Sequence, residues 1–210
     1  MSVGLANPLQ QALVSIFSES PLETLEQNVD RALETITLQL HCDGVFVLTG
    51  SQSLDRLRTR NLYLKPQFAQ GQQTRVWPLA RMPFFRSLVR TPRLLNLADV
   101  NTLPADAQAE RALLRDWDVK SLLVLPPVVF GETRIALGAV NCSECCEWSE
   151  EFIQEFNHAA VMIGSAMELT RIALSMLASE HKYCEVFNQL PLACALLDKH
   201  DQLTMLNKVA

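Results

Sequence analysis

Residues 119–151 read VKSLLVLPPVVFGETRIALGAVNCSECCEWSEE, and the fold turns on this stretch. Ser121 to Phe130 is a long apolar run. Gly131-Glu132-Thr133 supplies a turn, and Ile135 to Val140 returns as a second apolar strand carrying Gly138. Two such runs around a short glycine-containing turn predict a β-hairpin. Trp148-Ser149-Glu150-Glu151 then predicts a helix start. Ser149 can cap it, the two glutamates suit the positive end of the helix dipole, and Trp148 is placed to staple onto Ile153.

Upstream, Leu5, Leu9, Leu13, Ile16 and Phe17 recur at helical spacing and predict a short amphipathic helix. Ser20-Pro21-Leu22-Glu23 reads as the start of a second helix. Its apolar stripe runs through Leu22, Leu25, Val29, Leu33, Ile36 and Leu40, and it should end near His41. Val45 to Leu48 is a buried strand by its uninterrupted apolar character. Gly50 to Arg60 is polar and predicts a loop. Asn61–Lys65, Thr74–Leu79 and Arg93–Leu97 predict strands. Pro83–Arg90 and Pro104–Trp117 predict helices, the second turning Ala107, Leu113 and Leu114 inward.

Downstream, the helix that opens at Ser149 is expected to reach about Tyr183. Phe152, Phe156, Ala159, Ile163, Ala166, Thr170, Ala173 and Leu177 alternate by four and three, a heptad-like seam. The early part must cover the sheet. The later part has no core of its own, so a helix from a second copy is its natural partner, and the expected state is a homodimer. Tyr183 to Ala210 holds one helix and one hairpin, with strands in Pro191–Leu197 and Leu203–Leu206. That is too little for an independent domain and reads as the beginning of a second one. Residues beyond about 180 are expected to be disordered or to continue the helix.

Hydrophobic residues make up 49% and charged residues 20% of the 210, and the net charge is −5. This is globular composition, and it offers no basic footprint for nucleic acid or anionic lipid. No uninterrupted apolar run approaches the ~20 residues of a bilayer span. Met1 to Gln10 does not read as a secretion leader. The six cysteines are therefore expected to be reduced thiols in a cytoplasmic protein.

Residues 21–180 resemble a GAF domain. The resemblance rests on Gly44-Val45-Phe46-Val47-Leu48, on Val119 to Pro127, on Phe130-Gly131-Glu132-Thr133, on Leu137-Gly138-Ala139-Val140 and on Trp148-Ser149-Glu150-Glu151. Residues 183–210 resemble the start of a PAS domain. Here Val186-Phe187-Asn188-Gln189-Leu190-Pro191-Leu192-Ala193 is similar to the opening helix and first strand. Leu196-Leu197-Asp198 with Asp201-Gln202-Leu203 and Asn207 is similar to the first hairpin. The resemblance implies an α+β fold, with an antiparallel sheet of about six strands flanked by helices and a long C-terminal signalling helix. It divides the chain into an N-terminal helix (1–20), a sensor domain (21–165), a linker helix (166–182) and a truncated PAS beginning (183–210). It also implies the input half of a bacterial signalling protein whose output domain is a histidine kinase, a cyclic-di-GMP enzyme or a transcriptional regulator. No such domain lies in this sequence, and the chain itself is not expected to be an enzyme.

The resemblance places a small-molecule pocket under residues 74–121. Trp77, Phe84, Phe85 and Trp117 are the candidate apolar lining, with Asp99 and Ser121 among the polar groups and Arg75, Arg81 and Arg86 as alternatives. The competing reading makes the aromatics plain core and the arginines solvated. The ligand and any cofactor are unknown. Cys142, Cys145 and Cys146 are weak candidates for zinc, an iron–sulfur centre or oxidant sensing, since a second Cys pair and a nearby histidine are missing. The cyclic-nucleotide set of such domains has no counterpart here. His41-Cys42 reverses the Cys-His order that some bilin-binding GAF domains use, and reads as a helix end. His158 reads as a packing or surface residue. No Ser-His-Asp order, phosphate loop or HExxH pattern occurs. Three functions follow: a small-molecule sensor signalling through a dimeric helix, a ligand-free dimerisation scaffold, or a thiol or metal redox sensor.

Overall fold

The computed structural model describes residues 7–18, 24–50, 56–69, 76–90, 93–125, 135–197, 199–200 and 202–209. The expected cap at Ser20–Glu23, the turn at Gly131–Thr133 and Arg75 lie outside them. The chain divides into two compact units, 1–167 and 168–210.

The first unit opens with helices α1 (Pro8–Ser18) and α2 (Leu25–Gln39). Strands β1 (Gly44–Gly50), β2 (Arg56–Leu64) and β3 (Val76–Pro78) follow, then α3 (Pro83–Arg90), β4 (Leu95–Leu97) and α4 (Gln108–Asp116). The hairpin β5 (Ser121–Leu125) and β6 (Ile135–Asn141) leads to α5 (Glu150–Gln189), whose first part completes the unit. The six strands form one antiparallel sheet in the order β3-β2-β1-β6-β5-β4. The expected hairpin is central to it, with Ser121 opposite Asn141 and Leu125 opposite Leu137.

Both faces of the sheet are covered, which is why β1 and β5 read as unbroken apolar runs rather than alternating ones. Val45, Val47, Leu123, Leu125, Leu137 and Ala139 point to one face. There they meet Leu9 and Leu13 of α1, Leu33 and Ile36 of α2, and Phe156 and Ile163 of α5. Phe46, Leu48, Leu122 and Val140 point to the other face, under α3, α4 and the segments between them. At the start of α5 the Ser149 hydroxyl accepts the Phe152 N–H at 3.1 Å, as expected of a cap. The Trp148 ring contacts Phe152 with centroids 4.7 Å apart, and Ile153 packs against the same core.

Two elements depart from expectation. Strand β2 begins at Arg56, inside the segment read as a loop. Arg58 and Arg60 face solvent while Thr59 between them is buried, so the strand period is carried by a threonine instead of an apolar residue. Helix α5 does not stop at Tyr183. No proline interrupts it before Pro191, which disfavours helical geometry at Leu190. The seam read along α5 is also split. Phe156 and Ile163 are core residues of the first unit, Ala166 and Ala173 are half-buried, Thr170 is buried, and Leu177 is exposed. By length and composition α5 could cross a bilayer, with a mean hydropathy of 1.4 over 18 residues of which 28% is buried.

Asp43, between α2 and β1, pins three strands together. Its backbone N–H donates to Val140 O and its carbonyl accepts from Lys65 N, each at 3.0 Å. Its carboxylate accepts from Lys65 Nζ at 3.0 Å, Cys142 N at 3.0 Å, Ser143 N at 2.9 Å and Ser143 Oγ at 2.6 Å. Burial pushes the carboxyl up, but the Ser143, Lys65 and Cys142 hydrogen bonds prevail and hold it at about 2.

Gly138 sits opposite Phe46 in the sheet. A Cβ there would lie 2.6 Å from Phe46 Cε2, so the ring lies where a side chain would be. Gly138→Ala is expected to displace the ring and lower stability by ~1–3 kcal/mol, as overpacking does. Thermal melts together with the near-ultraviolet signal of the adjoining tryptophans check it; an unchanged melt and spectrum would contradict the packing described.

In the second unit, strands β7 (Ala195–Leu197) and β8 (Leu203–Leu206) pair antiparallel. Asn207 joins this hairpin to the end of α5. It exchanges backbone and side-chain bonds with Cys194, and its Nδ2 donates to Leu192 O at 2.7 Å and Phe187 O at 3.3 Å. Asn188 Oδ1 accepts from Lys208 N at 3.1 Å. Asn207 is only 4% exposed, buried because its polar atoms are satisfied.

Candidate aromatic chamber

The face of the sheet away from α1, α2 and α5 carries a cluster of four rings. Phe46 rises from β1 over Gly138. Trp77 comes from β3, Phe85 from α3, and Trp117 from the end of α4. Trp77 lies 5.4 Å from Phe85, 5.4 Å from Trp117 and 5.8 Å from Phe46, centroid to centroid. Phe46 and Trp117 meet edge to face at 6.1 Å. Trp77 thus touches the other three rings and joins them into one cluster. The Trp77 indole N–H donates to Thr59 Oγ1 at 3.2 Å, which accounts for the buried threonine in β2.

The candidates read from sequence separate here. Trp77, Phe85 and Trp117 converge. Phe84 is half-buried, 6.1 Å from Phe85, at the edge of the cluster. Asp99 serves its own turn instead, since its carboxylate accepts from Asn101 N at 2.8 Å. Ser121 is fully buried with its hydroxyl committed, donating to Ala98 O and accepting from Cys146 N, each at 2.7 Å. Arg81 is exposed and Arg86 half-buried.

Sequence reading missed Glu110. It lies on α4 between Ala107 and Leu114, on the stripe that continues to Trp117, and is 0% exposed. Its Oε1 accepts from Phe84 N at 2.9 Å and Phe85 N at 3.4 Å. These are free donors in the first turn of α3. Met82, ahead of Pro83, has no oxygen with which to cap them. An acid interrupting an apolar helical stripe is the sequence signal that could have found it.

The three clustered cysteines do not gather. Cys142 packs into the aromatic-side core, Cys146 packs against the opposite one, and Cys145 is exposed. Burial pushes the Cys142 thiol up to about 12, helped by the Asp43 and Asp118 charges, and burial also raises Cys146. Among the described residues no group of three metal-ligating side chains occurs. The metal candidates are corrected accordingly: the sheet separates the thiols.

Against models of known families, residues 24–167 match the GAF domain. The chain belongs to the GAF domain family. Solved structures agree on the fold. One is the GAF domain of a phosphoenolpyruvate-protein phosphotransferase from Coxiella burnetii, at TM-score 0.64 and 16% identity over 80% of this chain and 95% of that one. Another is the blue-light-absorbing form of the PixJ GAF domain of Thermosynechococcus elongatus, at TM-score 0.58 and 21% identity over 86% and 98%. A third is a phycocyanobilin-bound GAF domain of a cyanobacterial phytochrome, at TM-score 0.64 and 15% identity over 80% and 98%. No curated protein matches.

GAF domains are regulatory sensor domains that bind small molecules. In this GAF domain Cys42 is not available as an attachment thiol. Burial pushes it up to about 12, its Sγ lies 3.7 Å from Gly44 O, and a thiol kept protonated is a poor nucleophile.

Proposed function

We propose that this chain is a regulatory, non-catalytic sensor module. A small molecule binds at the aromatic chamber, and the response passes along α5, in a homodimer, to an output domain. The observation that carries the reading is the ring cluster of Phe46, Trp77, Phe85 and Trp117 on the sheet face opposite the terminal helices. Because the rings touch, a ligand enters by parting them. The element best placed to give is α3, a short helix tied to α4 through Glu110. A ligand that binds the parted arrangement more tightly shifts the population toward it, and only that difference can produce a signal.

The contact of the rings also favours a second reading, a GAF domain that binds nothing and serves as a dimerisation scaffold. Native mass spectrometry of the purified protein separates the two. Added mass on the dimer supports the sensor. Bare polypeptide mass, with no shift on screening aromatic small molecules, supports the scaffold. The redox-sensor reading is not carried forward, since Cys142 and Cys146 pack on opposite sides of the sheet and Cys145 is exposed.

The dimer seam we propose differs from the one read in sequence. Leu169, Ile172, Met176, Tyr183 and Val186 are all exposed and, with Ser179, alternate by three and four along α5, and the exposed Leu190 follows directly after its end. An exposed apolar stripe of that length needs a cover, and a second copy provides an identical one. Ile172→Asp with Met176→Asp is expected to leave the GAF domain folded and shift the protein to monomer at micromolar concentration. Sedimentation checks it, and a double variant that stayed dimeric would remove α5 as the interface.

Residues 168–210 are proposed as the beginning of a PAS domain in a bacterial signalling protein with a kinase, cyclic-di-GMP or transcriptional output. The sequence resemblance is supported by a helix followed by a hairpin, joined through Asn207. The exposed Leu197, Leu203 and Leu206 fit a sheet that further strands would cover. A cytoplasmic location is proposed on the six free thiols.

A further inference from the structure

We propose that Glu110 makes the aromatic chamber selective for ligands bearing a hydrogen-bond-donating, positively charged nitrogen, and selective against carboxylates; this rests on the reading of the chamber as the ligand site. Glu110 is fully buried, yet only one of its oxygens is used. Oε2 is shielded from solvent and has no hydrogen-bond partner among the described residues.

Capping α3 does not explain this residue type. Oε1 alone accepts from Phe84 N and Phe85 N, and a glutamine would present an equivalent oxygen. What glutamate adds is a second acceptor and a negative charge. A buried acceptor left unmade is unfavourable, and more so when charged. A ligand N–H reaching Oε2 removes that penalty in the bound state only, which is how such a group becomes a source of specificity. The surroundings favour the same class. Glu110 lies one helical turn from Leu114 and two from Trp117 on the chamber side of α4, and ring faces attract cations. An anion would meet Glu110 with like charge in a low-dielectric setting. A ligand on Oε2 also touches the carboxylate that holds the first turn of α3. Recognition and the position of α3 thereby share one side chain.

The test uses three probes of one size on the full chain: benzylamine, acetophenone and benzoate. Binding is read from saturable shifts of the Trp77 and Trp117 indole N–H resonances. Acetophenone, neutral and without a donor, reports on the chamber alone. Benzylamine is expected to bind at least about tenfold more tightly than benzoate, the scale of one hydrogen bond to a charged group. In Glu110→Gln that advantage should fall to within about threefold, with the cap of α3 kept. If acetophenone binds but the wild type does not favour the amine, or Glu110→Gln keeps the full preference, the selectivity assigned to Glu110 is overturned while the chamber stands. If no probe gives saturable shifts, the chamber reading falls and this inference with it. Should Glu110→Gln fail to fold, the wild-type ranking decides alone, and benzoate equal to or above benzylamine overturns the proposal.

Discussion

Asp43→Ala is expected to lower the unfolding free energy of the GAF domain by ~3 kcal/mol at neutral pH. The carboxylate accepts four hydrogen bonds, from Lys65, Cys142 and twice from Ser143. Bonds to an ionised acceptor are each worth ~1.5–3 kcal/mol, but the losses are not additive, because Lys65 and Ser143 can turn to water. The Cys142 N–H cannot, since it is buried just past the end of the interior strand β6. The same contacts set an acid limb. The folded carboxyl titrates at about 2 against an ordinary 3.8. A depressed folded value means the stabilisation is fully present above pH ~4 and is lost as pH falls toward 2, ~2 kcal/mol in all. Asp43→Asn should flatten that limb while keeping part of the neutral-pH stability. Urea titrations at several pH values test both. A loss under ~1 kcal/mol in Asp43→Ala, or acid limbs that superimpose for wild type and Asp43→Asn, would show that the pin is dispensable.

The second large effect separates core from interface along one helix. Ile163→Asp should unfold the GAF domain outright, where the Ile172→Asp, Met176→Asp variant should leave it folded. Ile163 is 1% exposed, packed among Phe156, Ala159, Ala160 and Met167. A carboxylate there has no partner and no water, a change exceeding ~4 kcal/mol and comparable to the whole margin of a small domain. Loss of the cooperative melt and of soluble yield is the expected readout. A folded, monomeric Ile163→Asp protein would instead make Ile163 an interface residue and restore the seam as first read.

That contrast shows where sequence was informative. The central hairpin, Ser149 as a cap, and the inward Trp77, Phe85 and Trp117 were all legible, because each is a local pattern or an order of elements. The heptad-like seam was legible as a spacing only. A helix that packs on a sheet and a helix that packs on its twin both repeat every three and four residues. Nothing in Phe156 or Ile163 says which surface each meets, and the exposed stripe is rotated from the one extrapolated. The start of β2 was hidden because Thr59, its buried residue, is polar and is satisfied only by Trp77 far along the chain. Glu110 was passed over for the same reason. A buried acid is intelligible only with the two amides of α3 beside it, and those come from another element. Asp99 and Ser121 are polar residues of the same region whose bonds go to neighbouring backbone.

The ring of Phe46 resting in the space above Gly138 makes these two positions a single unit of inheritance. Neither can drift alone: a larger residue at 138 demands a smaller one at 46, and a smaller residue at 46 frees 138. Related chains should therefore exchange the pair together, with rings at 46 accompanying glycine at 138. Paired substitution at these positions would mark which relatives keep an aromatic floor beneath Trp77 and Trp117 and which have rebuilt it.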